Sequence, residues 1–197
     1  MSQSVETLSD ADLLGLVVGN KTALRMLQDA GGSLSALLNE SQASNGLQPK
    51  MRTKLQVAKE LVRRSLLETL RQRDVLSSPA SVRDFLRMTL TGRDYEVFMV
   101  LFLDAQNQVI ESEEMFRGTL TQTSVYPREV VKRSLFNNAA AVIFAHNHPS
   151  GVAEPSHADE LLTQSLKQSL ALVDVRVLDH FVIAGSGLAS FAERGLI

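Results

Sequence analysis

The chain has 197 residues, 44% of them hydrophobic and 21% charged, and a formal net charge of −2. That is enough for one sizeable domain and a smaller one in an ordinary globular balance, with no apolar run near bilayer length. The absence of cysteine excludes disulfides, thiolate metal sites and a cysteine nucleophile, so any metal must be held by His, Asp or Glu. The opening MSQSVETLSD has no basic segment leading into an apolar core, so no secretory signal is expected, and the expected location is the cytoplasm without a membrane.

Charge is unevenly spread. Between Lys50 and Arg73 eight basic residues face only Glu60 and Glu68, whereas from Leu76 onward ten basic residues face fourteen acidic ones. A basic helix beside an acidic domain is compatible with nucleic-acid contact, although a solvated helix face is the plainer reading.

Residues 8–74 carry helical patterning. Ser9 or Asp10 can cap a helix holding Leu13, Leu14, Leu16 and Val17. A second apolar segment, Ala23 to Leu27, ends at Gly31-Gly32, and Ser33 can cap a short helix through Leu34, Leu37 and Leu38. After the polar loop 39–46, Met51, Leu55, Ala58, Val62 and Leu66 recur at helical spacing. A small all-α region over 1–74 is expected, with a boundary at Val75-Leu76-Ser77-Ser78-Pro79.

The pattern then changes. A helix is expected over 80–90, then a buried strand over the apolar run Val97 to Leu103. A turn at 104–107 leads to a second strand reaching Phe116, and residues 118–125 read as a further strand or an extended loop. Pro127 opens a helix at its favoured first-turn position. Residues 140–145 form a buried strand running into His146, 158–170 a helix and 175–184 another strand, with 185–187 a turn before the C-terminal tail. Strands and helices mix without strict alternation, which predicts an α/β domain with a mixed sheet over 75–197.

The chemistry concentrates in Ala145-His146-Asn147-His148-Pro149-Ser150-Gly151 and Glu154-Pro155-Ser156-His157-Ala158-Asp159. Histidines at i and i+2 on an extended segment point the same way. Pro149 ends the strand, and Gly151 lets the chain turn back. Ser156 occupies an N-cap position, which sets Asp159 in the first helical turn, free to reach over the strand end. Two neutral imidazoles and a carboxylate suit zinc, and three protein ligands leave a fourth position for water. Ser156-x-x-Asp159 also reads as a capping arrangement, although Glu or Gln is the usual third residue. His157 is expected to face solvent, and His180 to be a satisfied structural histidine or a partner behind a ligand.

His146-x-His148-x₇-Ser156-x-x-Asp159 is the pattern of the JAMM motif of MPN-domain metalloproteases. Together with Phe116-Arg117-Gly118-Thr119, Pro127-Arg128-Glu129-Val130 and Leu178-Asp179-His180 it resembles the RadC-like branch over about 76–197. The resemblance implies a three-layer, cytidine-deaminase-like MPN fold and one Zn2+ per chain on His146, His148 and Asp159. It also implies an upstream glutamate at the start of the first core strand, a place Glu96 matches, with Glu111, Glu113 and Glu114 as competitors that spacing alone does not eliminate. Zinc brings the pKa of a bound water to about 7. Glu96 would then relay a proton to the leaving amine, and Ser156 would hydrogen-bond the developing oxyanion. The implied activity is hydrolysis of peptide or isopeptide bonds in a peptide or protein substrate.

RadC-like proteins also carry a helix-hairpin-helix-like segment, whose counterpart here is Asn45-Gly46-Leu47-Gln48-Pro49-Lys50. Gln48 replaces the second glycine and Pro49 removes an amide donor, so a degenerate hairpin inside a structural helical bundle is expected. The competing expectation is a DNA-associated binding protein whose JAMM scaffold holds metal but turns over weakly.

Overall fold

The computed structural model describes residues 4–34, 37, 49–118 and 125–197. Within these the chain resolves into two compact units, Met1–Val62 and Arg63–Ile197. The expectations for 35–36, 38–48 and 119–124, including the Gly46-Leu47-Gln48 part of the hairpin, lie outside the described residues.

In the first unit a short 3-10 turn, Val5–Thr7, precedes α1 (Asp10–Val18) and α2 (Asn20–Asp29). Ser9 is the N-cap of α1, its hydroxyl oxygen accepting the Asp12 amide at 3.2 Å, so Ser9 rather than Asp10 takes that role. Gly19, at φ +90°, separates the two helices with a backbone angle that side chains disfavour. Leu14, Val18, Ala23, Met26, Leu37 and Leu55 form the unit's small core. Leu55 comes from α3 (Pro49–Arg71), and Lys54 of the same helix donates to the Val17 carbonyl at 2.8 Å.

The second unit contains the last turns of α3, then α4 (Pro79–Leu90), β1 (Val97–Leu103), β2 (Val109–Arg117), α5 (Pro127–Phe136), β3 (Ala141–Asn147), α6 (His157–Ala171), β4 (Arg176–Ala184) and β5 (Gly187–Ser190). The five strands form one sheet in the order β2-β1-β3-β4-β5. β3 and β4 are parallel, and the other neighbours are antiparallel. This is the mixed α/β sheet expected from the pattern.

The unbroken apolar runs of β1 and β3 follow from burial on both faces. Val97, Met99, Leu101 and Leu103 join Ala141, Ile143 and Ala145 on one face, where Val82, Phe85, Leu86 and Leu90 of α4 cover them. Phe98, Val100 and Phe102 join Val142 and Phe144 on the other, under Val130 of α5 and Leu166 and Leu170 of α6. The period of two along a strand sorts one sequence into both layers. It also sets His146 on the α5–α6 side, since it follows Phe144 by two.

Two features differ from the sequence reading. β3 runs on to Asn147, and the residues after the Gly185-Ser186 turn form β5 instead of a tail. Gly187-Leu188-Ala189-Ser190 is short and poor in β-branched residues, so its pairing with β4 is a tertiary effect and not a propensity one. Asp179 of β4 secures this end, accepting from the Ser190 hydroxyl at 2.6 Å and the Ala192 amide at 3.0 Å.

β2 lies at the sheet edge, and its acidic residues are paired there. Glu111 meets Arg71 at 3.4 Å, Glu114 meets Arg93 at 2.6 Å, and Glu113 accepts from Nε and Nη2 of Arg133 and from Asn137. Hydrogen bonding from Arg133 holds the Glu113 carboxyl below its ordinary value of 4.5, against an opposing effect of partial burial and with help from Asn137. A lowered carboxylate stabilises the fold above its unfolded pKa, and that contribution disappears as pH falls through the folded value. Glu113→Gln is therefore expected to cost about 1 kcal/mol at neutral pH, a modest figure because the pair is partly solvated. Urea midpoints of the two proteins should converge once the pH is below the folded value. An equal gap at both pH values would mean that the charge is not the source.

Candidate metal centre

His146 sits near the end of β3 with its ring buried against Phe98, and its Nε2 lies 2.9 Å from His148 Nε2. His148 is one residue beyond the strand, where its backbone N–H still continues the sheet by donating to the Ile183 carbonyl at 2.8 Å. Gly151, at φ +85°, turns the chain back there. The turn brings the Val152 carbonyl to 2.9 Å from His148 Nδ1. A carbonyl only accepts, so Nδ1 carries the proton and Nε2 of the neutral ring presents its lone pair to the cluster.

Asp159 arrives from α6. Ser156 is the N-cap, its hydroxyl oxygen accepting the Asp159 amide at 3.2 Å while the Ser156 amide donates to Asp159 Oδ2 at 2.7 Å. The Ser156 hydroxyl proton also goes to Oδ2, at 2.6 Å. The capping box expected as an alternative is thus present, and it holds the Asp159 carboxylate beside the histidines. Oδ1 lies 3.3 Å from His146 Nε2, and Oδ2, which also takes the two Ser156 hydrogen bonds, lies 3.5 Å from His148 Nε2. One ligand atom from each of His146, His148 and Asp159 lies within 4.8 Å of the others, a group that could hold a metal ion.

The donor set fits such an ion. Two imidazole nitrogens and a carboxylate oxygen are all electron-pair donors, and bringing them together demands a cation between them. Hydrogen bonding to Asp159 raises His148 above its ordinary 6.5, against burial, with further help from the Val152 carbonyl and the Asp159 and Glu96 charges. Burial pushes the Asp159 carboxyl up, but hydrogen bonding with His146, His148 and Ser156, and the charge His146 carries when protonated, outweigh it and hold it far below the carboxylate range.

Glu96 is half-buried immediately before β1. Phe98 pairs with His146, so continuing that antiparallel register by two residues sets Glu96 opposite His148. The segment is stapled on both sides of Glu96 by Asn147, whose side-chain oxygen accepts the Val97 amide and whose nitrogen donates to the Tyr95 carbonyl, each at 2.9 Å. Gly118 donates to the Glu96 carbonyl at 2.8 Å.

The remaining histidines separate. His157 is exposed, 3.8 Å from Glu160, as its position suggested. His180 has no exposed surface and stacks on Phe191. Its Nε2 is 2.8 Å from His146 Nδ1, and its Nδ1 is 2.7 Å from Thr163 Oγ1. Burial, and the charge His146 carries when protonated, push its pKa well down. Sequence reasoning passed over Thr163. Its position four residues after Asp159 on one helix was the only hint. Asn147 had no signal of its own.

A mixed sheet flanked by helices, with a His-x-His strand end meeting an aspartate from the next helix, defines a JAB-type domain with a candidate metal centre. The chain belongs to the RadC-like JAB domain family, whose model matches residues 76–196. Full-length similarity extends to proteins named UPF0758. That of Nitrosomonas eutropha is 53% identical, covering all of this chain and 93% of the relative. That of Leptothrix cholodnii is 56% identical over 96% of this chain and 90% of the relative, and that of Dechloromonas aromatica 52% over the same shares. Among the described residues no helix is long and apolar enough to cross a membrane.

Proposed function

We propose that the chain is a zinc-dependent hydrolase of peptide or isopeptide bonds, with His146, His148 and Asp159 as ligands and Glu96 as general base. The observation that carries this reading is the convergence of His146 Nε2, His148 Nε2 and an Asp159 oxygen beside the stapled Glu96 segment. When bound, zinc supplies a Lewis acid and a water acidified to about pKa 7. His148 is the most exposed of the three side chains, so solvent and substrate would approach from its side.

The chain's own residues supply the rest. Glu96, whose charge reaches His148, takes a proton at its carboxylate and delivers it to the leaving nitrogen. Asn147 fixes the backbone on both sides of that carboxylate, so its approach is set by the sheet. Ser156 holds Asp159 Oδ2 with amide and hydroxyl together. To donate to an oxyanion its hydroxyl must turn from Oδ2, while the amide keeps the carboxylate in place. Glu111, Glu113 and Glu114 of β2 pair with Arg71, Arg133 and Arg93, whereas the Glu96 charge acts on His148, which favours Glu96 for the base.

The test is a peptide and isopeptide library screened with zinc-loaded protein, with a chelator-treated control. Zinc-dependent cleavage is expected. Tight stoichiometric zinc with no cleavage anywhere in the library would instead favour a metal-bearing binding scaffold.

A further inference from the structure

We propose that Thr163 and His180 form a buried relay that holds His146 in its Nδ1–H tautomer, keeping the His146 Nε2 lone pair available to a metal. Its use to the chain rests on the zinc reading above, but the proton order itself follows from hydrogen-bond accounting.

The accounting starts at a group that can only accept. The Asp159 carbonyl has no proton, and Thr163 Oγ1 lies 2.6 Å from it, so the single hydroxyl proton of Thr163 is spent there. The other contact of that oxygen, His180 Nδ1 at 2.7 Å, must therefore donate to it. A neutral imidazole has one N–H. The His180 ring is enclosed by Phe98, Phe144 and Phe191, where an imidazolium would lose its hydration. Its Nε2 is then an acceptor, and His146 Nδ1, 2.8 Å away, is the donor. In the neutral His146 ring Nε2 is then left bare, facing His148 Nε2 and Asp159 Oδ1.

The relay begins and ends on Asp159. Its backbone carbonyl orders the protons, and its side-chain oxygen meets the lone pair that the ordering exposes. One turn of α6 thus links two ligands of the same centre. Metal-binding histidines commonly have their second nitrogen held in this manner by a carboxylate or carbonyl. Here a histidine and a threonine do so inside an aromatic shell. Without the Thr163 hydroxyl, His180 is free to carry its proton on Nε2 and donate it to His146 Nδ1. That shifts the His146 proton to Nε2, where a metal would have to bind.

The experiment uses the full chain, labelled with nitrogen-15, without metal and with added zinc. Ring correlations of His146 and His180 are expected to show Nδ1–H in both states. Thr163→Val should move His146 toward Nε2–H and weaken zinc roughly 10- to 100-fold. Thr163→Ser, which restores the hydroxyl, should recover both properties. A wild-type His146 carrying Nε2–H overturns the relay. So does a folded Thr163→Val protein with unchanged tautomer and zinc affinity. If Thr163→Val does not fold, the wild-type tautomer alone decides. If wild type takes up no zinc, the functional reading fails, and the metal-free tautomers still decide the relay.

Discussion

Glu96→Gln is expected to retain one zinc per chain and to lose hydrolysis by roughly 10²- to 10⁴-fold, the usual contribution of a positioned general base. The two results must appear together. Glutamine preserves the size and hydrogen-bonding reach of the side chain but accepts no proton at the relevant pH. The backbone around residue 96 is held by Asn147 and Gly118 through groups the substitution does not touch. Metal content should therefore be unaffected while kcat falls. Elemental analysis and single-turnover cleavage on the same preparation make the comparison. Full activity with zinc bound would remove Glu96 from the chemistry.

The other acidic residues offer a natural control. Glu113 is tied to Arg133 and Asn137, and its carboxyl is stabilised in the charged form by that pairing. A carboxylate so held is a poor proton acceptor. Its neutralisation should alter stability, as argued above, and leave turnover in place.

Much of the centre was legible because each ligand sits at a place that local rules define. Two imidazoles two residues apart at a strand end, a glycine turn and an N-cap serine all leave marks in a single stretch, from His146 to Asp159. The sheet was equally legible where burial on both faces forces apolar runs, as in Val97 to Leu103. What the sequence concealed is non-local. β5 has no strand-forming residues of note, and its register comes from β4 and Asp179. Asn147 is a polar residue between two histidines until β1 is laid beside β3, when its amide is seen to bracket Glu96. The same holds for Thr163 and His180, which are 17 residues apart and meet only because α6 packs on β4. Hydrogen-bond partners across a sheet have no period and no spacing rule. The capping box differs, since one Ser-x-x-Asp both starts a helix and sets a carboxylate beside two histidines, so the two readings do not compete.

His148→Ala is expected to abolish stoichiometric zinc and the stabilisation that zinc confers. It is the cleanest ligand to remove. His146→Ala would orphan the buried His180, and Asp159→Ala would break the helix cap at a cost of about 1 kcal/mol. His148 lies beyond β3, and its sheet hydrogen bond comes from the backbone. For wild type, free zinc at a thousand times its dissociation constant adds about 4 kcal/mol, which in a chain of this size is a rise in Tm of roughly 10 °C. The alanine variant should melt at one temperature with or without the metal. The pH dependence has a definite sign. Because Asp159 raises His148 above 6.5, the metal-free chain binds a proton there more tightly than a free imidazole does, and zinc competes with that proton. That proton stabilises the metal-free fold fully below the unfolded value, and its contribution is lost as pH rises through the folded one. Acidification therefore favours the metal-free state, and the zinc-induced rise should be larger at about pH 8 than at about pH 6. A wild-type Tm indifferent to zinc at both values would leave the three side chains without a metal to hold.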